Sequence, residues 1–297
     1  MIGLPATEKA NVMHEATVLA ETISGIEEIL SGDLDRIRLE RVAIGLFFTG
    51  VKLNTGSAGA CATPLRSIPE AVCCPSSALA MPFPGRLRGR PVRDLLRETR
   101  AASGVRRAVG VAAMNALADM CWERRAPRGV ALRTGIDAYD AAAIQPGENV
   151  VVVGAFVPFL KSLKRARQKF TVLEMDPATL KPDELAYFRP SEQADAVLPS
   201  ADVVLITGTT LLNDTLERLL ALCRPAARVV VVGPTVGLLP DAFLRRGVDV
   251  LGGIRVTAAD AFLDVLAEGG SGYHFFGRSA EKVVLMRQAA PARWQAA

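Results

Sequence analysis

The chain is short of several residues that usually carry chemistry. It has two histidines, His14 and His274, in 297 residues. So few histidines exclude a His-rich metal site or a two-histidine ligand motif within one chain. Aromatic residues make up 5% of the sequence, which leaves little for base-stacking platforms, and a formal charge of +4 is small for this length. Both observations argue against a nucleic-acid partner. No uninterrupted apolar run approaches the roughly 18 residues a membrane span needs. Residues Met1 to Ala10 lack the basic start and long apolar segment of a secretory signal. The five cysteines, Cys61, Cys73, Cys74, Cys121 and Cys223, are odd in number and form no C-x-x-C pair. That argues against a disulfide framework and against a preformed zinc site of the usual spacing. Reduced thiols and a cytoplasmic location are expected. No nucleophile elbow, phosphate-binding Walker loop or Ser/His/Asp arrangement is visible.

What is present is apolar: 50% of the residues are hydrophobic and 22% charged, the balance of a globular chain with large cores. The strongest local signal is Val150-Val151-Val152-Val153-Gly154, followed twenty positions later by Glu174. An apolar run that stops at glycine, a helical stretch, and a second apolar run ending in an acid is how a nucleotide-binding βαβ unit begins. The glycine permits the turn, the helix start offers N–H groups to an anion, and the acid stands where a ribose hydroxyl would be held. The glycine fingerprint is broken, however: Phe156 and Phe159 occupy the later glycine positions, with Pro158 between them.

Further along, apolar runs at 150–153, 170–175, 202–206, 228–232 and 248–251 alternate with helical patterns near 157–168, 213–223, 239–246 and 258–267. Continuous rather than alternating apolar runs imply strands buried on both faces, hence a mainly parallel sheet. The segment 281–286 could add an edge strand. The first part reads differently. Helical spacing over 8–31 precedes a period-two pattern over 36–60, then a proline-rich stretch and helices near 91–101 and 105–124. The polar, glycine- and proline-containing stretch 125–148 reads as a domain junction.

In an open parallel sheet, ligands lie beyond the C-terminal strand ends. The loops expected there carry the candidate binding residues Gly154, Phe156, Pro158, Glu174, Asp176, Thr207, Gly208, Thr209, Asn213, Gly233, Pro234, Thr235 and Gly253. Glycine permits close backbone approach, and the threonines and Asn213 offer hydroxyl and amide groups. The same residue types also favour ordinary turns and helix caps. Asn115 is a polar residue within an alanine-rich apolar helix pattern. It either bonds a neighbouring loop or faces a pocket. Among the thiols, Cys121 and Cys223 sit on apolar helix patterns and read as core. Cys73 and Cys74, in the proline-rich stretch, are the candidate soft-metal ligands. Arginines crowd 86–107, and such runs are usually solvated faces. One of them could meet an anionic ligand.

These stretches, in their order along the chain, resemble a two-domain family described as "putative heavy-metal chelation" (domain of unknown function 364 with its N-terminal partner domain). The likeness is carried by Val150 to Gly154 with Phe156 and Pro158, by Ile206-Thr207-Gly208-Thr209-Thr210-Leu211-Leu212-Asn213-Asp214-Thr215, and by Val232-Gly233-Pro234-Thr235 with Gly252-Gly253. Pro84 to Pro91 and Gly110 to Ala116 add to it in the first half. The resemblance implies an α/β protein: an α+β domain like the enolase N-terminal domain over 1–130, then a Rossmann-like domain with a mainly parallel sheet over 131–297. It implies a site between the two and a role in chelating or trafficking heavy metals. The expected ligand is a small anionic molecule or a metal complex. The alternative is an enzyme using an S-adenosyl- or nucleotide-type cofactor, in which Glu174 and the Gly154 loop hold the ribose end. Self-association into a homo-oligomer stays open.

Overall fold

The computed structural model describes residues 17–65, 81, 84–100, 104–237 and 239–288. Helix α1 (Val18–Ile29) begins at an N-cap in which Thr17 accepts a hydrogen bond from the Ala20 amide. Strands β1 (Leu39–Ile44), β2 (Phe48–Leu53) and β3 (Ala58–Ala62) form an antiparallel three-stranded sheet. Helices α2 (Val92–Glu98) and α3 (Val105–Arg124) follow.

Strand β4 (Val130–Thr134) and α4 (Ala138–Ala141) lead to β5 (Val150–Val153), α5 (Val157–Arg165), β6 (Phe170–Glu174) and β7 (Phe188–Pro190). After a short α6 (Ala194–Val197) come β8 (Val203–Thr207), α7 (Leu216–Leu222), β9 (Arg228–Val232) and α8 (Asp241–Arg245). The described chain closes with β10 (Val250–Val256), α9 (Ala259–Ala267), α10 (Gly272–Phe275) and β11 (Ala280–Arg287).

The large sheet has eight strands in the order β4-β11-β10-β9-β8-β5-β6-β7. Pairings from β10 through β7 are parallel, and β11 runs antiparallel to both its neighbours. Its valine runs explain the architecture. Val151, Val153, Val204, Ile206, Val229 and Val231 face one core, which also holds α1, α3 and α7. Val150, Val152, Val203, Leu205, Val230 and Val232 face a second core with α4 and α5. Alternate residues thus serve opposite faces, so no position in these runs can be polar. The segment 281–286 is not an edge strand: β4 pairs outside β11 and takes the edge.

The small sheet lies between two helices. Val51, Leu53 and Cys61 belong to the core of α3. Ala43 and Ala60 pack with Phe262, Leu263 and Leu266 of α9. Contact on both faces demands small residues. A Cβ on Gly59 would meet the Ala112 carbonyl oxygen and the Ala116 nitrogen, both at 2.3 Å. Ion pairs secure α9: Arg41 to Asp264 at 2.7 Å and Lys52 to Asp260 at 2.8 Å.

Helix α3 spans residues 105–124 as its apolar pattern predicts, and most of its residues are buried. The pattern over 213–223 predicts one helix, but the chain makes a short 3-10 turn at Gly208–Leu211 and starts α7 only at Leu216. Asp214 interrupts it with a φ of 57°.

Candidate functional site

Strand order reverses between β5 and β8. Loops leaving adjacent strands on opposite sides of such a point diverge and leave a crevice. Here the crevice is a cavity of about 790 Å³, within the range of small-molecule sites. Gly154, Ala155 and Phe156 after β5, Glu174 and Met175 after β6, and Thr179 beyond them form one side. Thr207, Thr209, Leu212, Asn213 and Asp214 after β8 form another. The N-terminal part closes it with Ala62, Thr63, Pro64 and Leu65, which continue β3, and with Gly104 at the start of α3.

Glu174 ties two of these loops together. One carboxylate oxygen accepts from the Ala155 amide at 2.8 Å, the other from Met175 at 2.7 Å and Asp176 at 3.2 Å. Gly154 makes this possible with a φ of 96°, and a Cβ there would lie 2.7 Å from Thr207. Glu174→Gln replaces one acceptor oxygen with a donor that faces amides. The expected cost is about 1–3 kcal/mol, measured by denaturant unfolding. An unchanged midpoint would show that the loops do not depend on the carboxylate.

The start of α5 is less open to an anion than its position suggests. The Phe156 amide donates to Gly154 at 2.8 Å, Val157 to Ala155 at 3.1 Å and Phe159 to Phe156 at 2.9 Å. Pro158 has no N–H to offer.

Across the cavity, Thr207 and Thr209 hydroxyls lie 3.2 Å apart and Thr215 donates to the Asn213 side chain at 2.7 Å. Arg107 reaches this loop from the first turn of α3. Its Nη1 donates to the Leu212 carbonyl at 2.9 Å and pairs with Asp214 at 2.7 Å. Among the described residues the lining holds two carboxylates and no lysine or arginine, and Arg107 pairs with one of the two, Asp214, from outside the lining.

Gly154, Phe156, Glu174, Thr207, Thr209 and Asn213 thus share one cavity, as their strand-end positions predict. Pro158, in the first turn of α5, and Asp176 and Gly208 lie outside the lining, with Asp176 accepting from the Ala178 amide at 2.8 Å. The loop after β9 turns instead onto the N-terminal part. Thr235 accepts from the Ala62 amide at 3.0 Å, and Asn115 donates to the carbonyls of Ala60, Pro234 and Thr235 at 2.6, 3.4 and 3.0 Å. The Asn115 side-chain oxygen accepts from Gly237 at 3.2 Å. Gly233, Pro234, Thr235, Gly253 and Asn115 therefore form a packed seam outside the lining. Ala62 to Leu65, Gly104 and Arg107 escaped the sequence reading: the first five are of ordinary type, and Arg107 is hidden in an arginine-rich run. Its place in an apolar helix pattern was the available signal.

No group of three or more His, Cys, Asp or Glu side chains capable of holding a metal ion occurs among the described residues. Cys73 and Cys74 lie outside them. Burial pushes the thiols of Cys61 and Cys121 up to about 12 and that of Cys223 up to about 11. All three stay protonated near neutrality, where the thiolate is the metal ligand and nucleophile. Iodoacetamide at pH 8 should leave them unmodified in the native protein and alkylate them after denaturation, read by peptide mass spectrometry. Rapid native labelling at Cys61 would mean that the seam opens. His274 caps a short turn, accepting from the Ser271 amide at 3.0 Å.

A mostly parallel eight-stranded sheet with a separate small antiparallel sheet, and a cavity at the switch point lined from both parts, define a mixed α/β class. Within that class the chain belongs to the family whose model is described as "putative heavy-metal chelation" (DUF364), matched over residues 137–285. A second model with the same description (DUF4213) matches residues 26–118. Two solved structures of unknown function from the same family have the same fold. The one from Pyrococcus horikoshii is 19% identical with a TM-score of 0.69, covering 91% of this chain and 100% of that one. The one from Desulfitobacterium hafniense is 24% identical with a TM-score of 0.66, covering 89% and 99%. An uncharacterized protein of Methanocaldococcus jannaschii is 31% identical over 182 residues, which is 59% of this chain and 64% of that protein. The matched region thus spans less than two thirds of that relative. No described helix is long and apolar enough to cross a membrane.

Proposed function

We propose that the protein binds a small anionic ligand or an already chelated metal complex in the cavity, and serves heavy-metal chelation or trafficking through that complex. The observation that carries this reading is the cavity itself: about 790 Å³, walled by Phe156, Leu65, Met175 and Leu212 and edged by threonine hydroxyls. Apolar walls with few placed polar groups suit an organic body. The two carboxylates of the lining are already engaged, Glu174 by three amides and Asp214 by Arg107. In this reading the ligand brings most of the metal's donors with it. We read the large sheet as Rossmann-like and the first part as enolase-N-terminal-like, with the boundary near residue 130.

The test is native mass spectrometry with elemental analysis of gently purified protein, beside a Thr209→Phe variant that fills the cavity. A bound small molecule, with or without metal, that is lost in the variant is the expected result. A bare chain, together with no thermal shift from any chelator or metal complex tried, would overturn the reading.

One observation favours a second reading, an S-adenosyl- or nucleotide-type cofactor. Glu174 ends β6 on the cavity wall, and its three amide bonds leave one acceptor position of the carboxylate for a hydroxyl. Loss of S-adenosylhomocysteine binding in Glu174→Ala would support it. Absence of any nucleoside binding to the unaltered protein would remove it.

A further inference from the structure

Arg107 has a side chain only 7% exposed. A guanidinium keeps its charge in a protein, so a buried one must be matched by an anion and by oxygen acceptors. Its two partners on the cavity side are unlike. The Leu212 carbonyl is fixed backbone at 2.9 Å. The Asp214 carboxylate, at 2.7 Å, is 57% exposed and stands on the cavity wall. Asp214 also holds a φ of 57°, a left-handed conformation that aspartate tolerates better than most residues but still pays for. An exposed carboxylate on a residue of left-handed backbone therefore pairs with a buried cation at the edge of a ligand-sized space.

We propose that Arg107 is the residue that receives the ligand's anionic group, that this group is a carboxylate, and that Asp214 holds its place until the ligand arrives. This rests on the cavity being a small-ligand site. The internal occupant shows the chemistry the position accepts, since Asp214 is itself a carboxylate. On binding, the ligand's carboxylate takes the guanidinium edge and the Asp214 side chain turns to solvent, where water replaces its partner. Charge is conserved at Arg107, so the exchange leaves no buried cation unpaired. The start of α3 supports the assignment. Gly104 lines the cavity as the N-cap, with a φ of 84° and no side chain in the way, and the first turn carries no acid. The positive end of a twenty-residue helix thus adds to the charge of Arg107. The α5 start, where a nucleotide phosphate would be sought, has its amides engaged.

The experiment is calorimetric titration of the full chain with dipicolinate and picolinate against picolinamide, which keeps the ring and lacks the charge. Dipicolinate should bind at least about tenfold tighter than the amide. Asp214→Asn, which tolerates the same backbone conformation, should bind dipicolinate roughly fivefold to twentyfold tighter than the unaltered chain, because the competing internal state is gone. Arg107→Met should lose the binding. If that variant does not fold, Arg107→Lys, which lacks the planar fork, should weaken it. An Asp214→Asn affinity that is unchanged or lower overturns the proposal. So does competition by sulfate or phosphate as strong as that by dipicolinate. Equal binding of picolinamide, insensitive to Asp214→Asn, overturns it while leaving the cavity a ligand site. No binding of any probe to either chain counts against both.

Discussion

Asn115→Leu is expected to destabilise the protein by about 4 kcal/mol or more. Asn115 is 6% exposed, and its amide joins α3 to Ala60 on β3 and to Pro234, Thr235 and Gly237 after β9. Leucine keeps the same branched shape, although it is the larger side chain, and any overpacking adds to the cost. What changes is that buried carbonyls and one amide lose their partner, each worth roughly 1–3 kcal/mol when stranded. Asn115→Asp should be no milder, because it keeps the acceptor for Gly237 but turns a carboxylate toward three carbonyl oxygens. Urea unfolding of both variants checks this. A midpoint within experimental scatter of the unaltered protein would mean that water enters the seam and satisfies these groups. Because Thr235 also bonds the Ala62 amide, loosening the seam should weaken ligand binding as well as stability.

The second large effect is expected at Gly253→Ala. An added Cβ would lie 1.8 Å from the Val236 carbonyl oxygen and 2.9 Å from its carbon. Both are backbone atoms, so no side-chain rotation relieves the overlap. Either β10 or the loop after β9 must move, at a cost of about 3 kcal/mol or more. That loop is the one Asn115 holds, so the two substitutions should not add. The double variant is expected to lose less than the sum, because a loop already displaced by Gly253→Ala has fewer bonds left for Asn115→Leu to break. Strict additivity in a double-mutant cycle would show that the two residues act on separate parts of the fold.

Much of the large sheet was legible because its strands are almost pure valine and leucine, a pattern that only a strand buried on both faces tolerates. β4 was not. It carries Arg133 and Thr134, and only Val130 in it is fully buried, so its pairing with β11 leaves little apolar signal. β7, at three residues, is too short to have a period. The same division runs through the site. Gly154, Phe156, Glu174, Thr207, Thr209 and Asn213 follow from a local rule, that ligands gather at strand ends. Gly233 and Thr235 obey the same rule in sequence, yet their loop is claimed by Asn115, more than a hundred residues away, and Gly253, expected in a strand-end loop, lies within β10, which runs on to Val256. The role of Arg107 depends on a loop just as remote. Contacts of that separation are set by packing of the whole molecule and leave no local trace.

Helix α9 carries a consequence for modularity. It follows β10 in the chain, yet Phe262, Leu263 and Leu266 form the second face of the small sheet with Ala43 and Ala60. The first part therefore does not own all of its core. Cut from the rest, it would present that apolar face to water, together with the buried flank of α3. It cannot be lent to another protein as an independent cassette, because it would have to take α9 with it, and α9 is strung between β10 and β11 of the large sheet. The two parts are interlocked by chain connectivity, since a helix strung between strands of the large sheet completes the core of the small one.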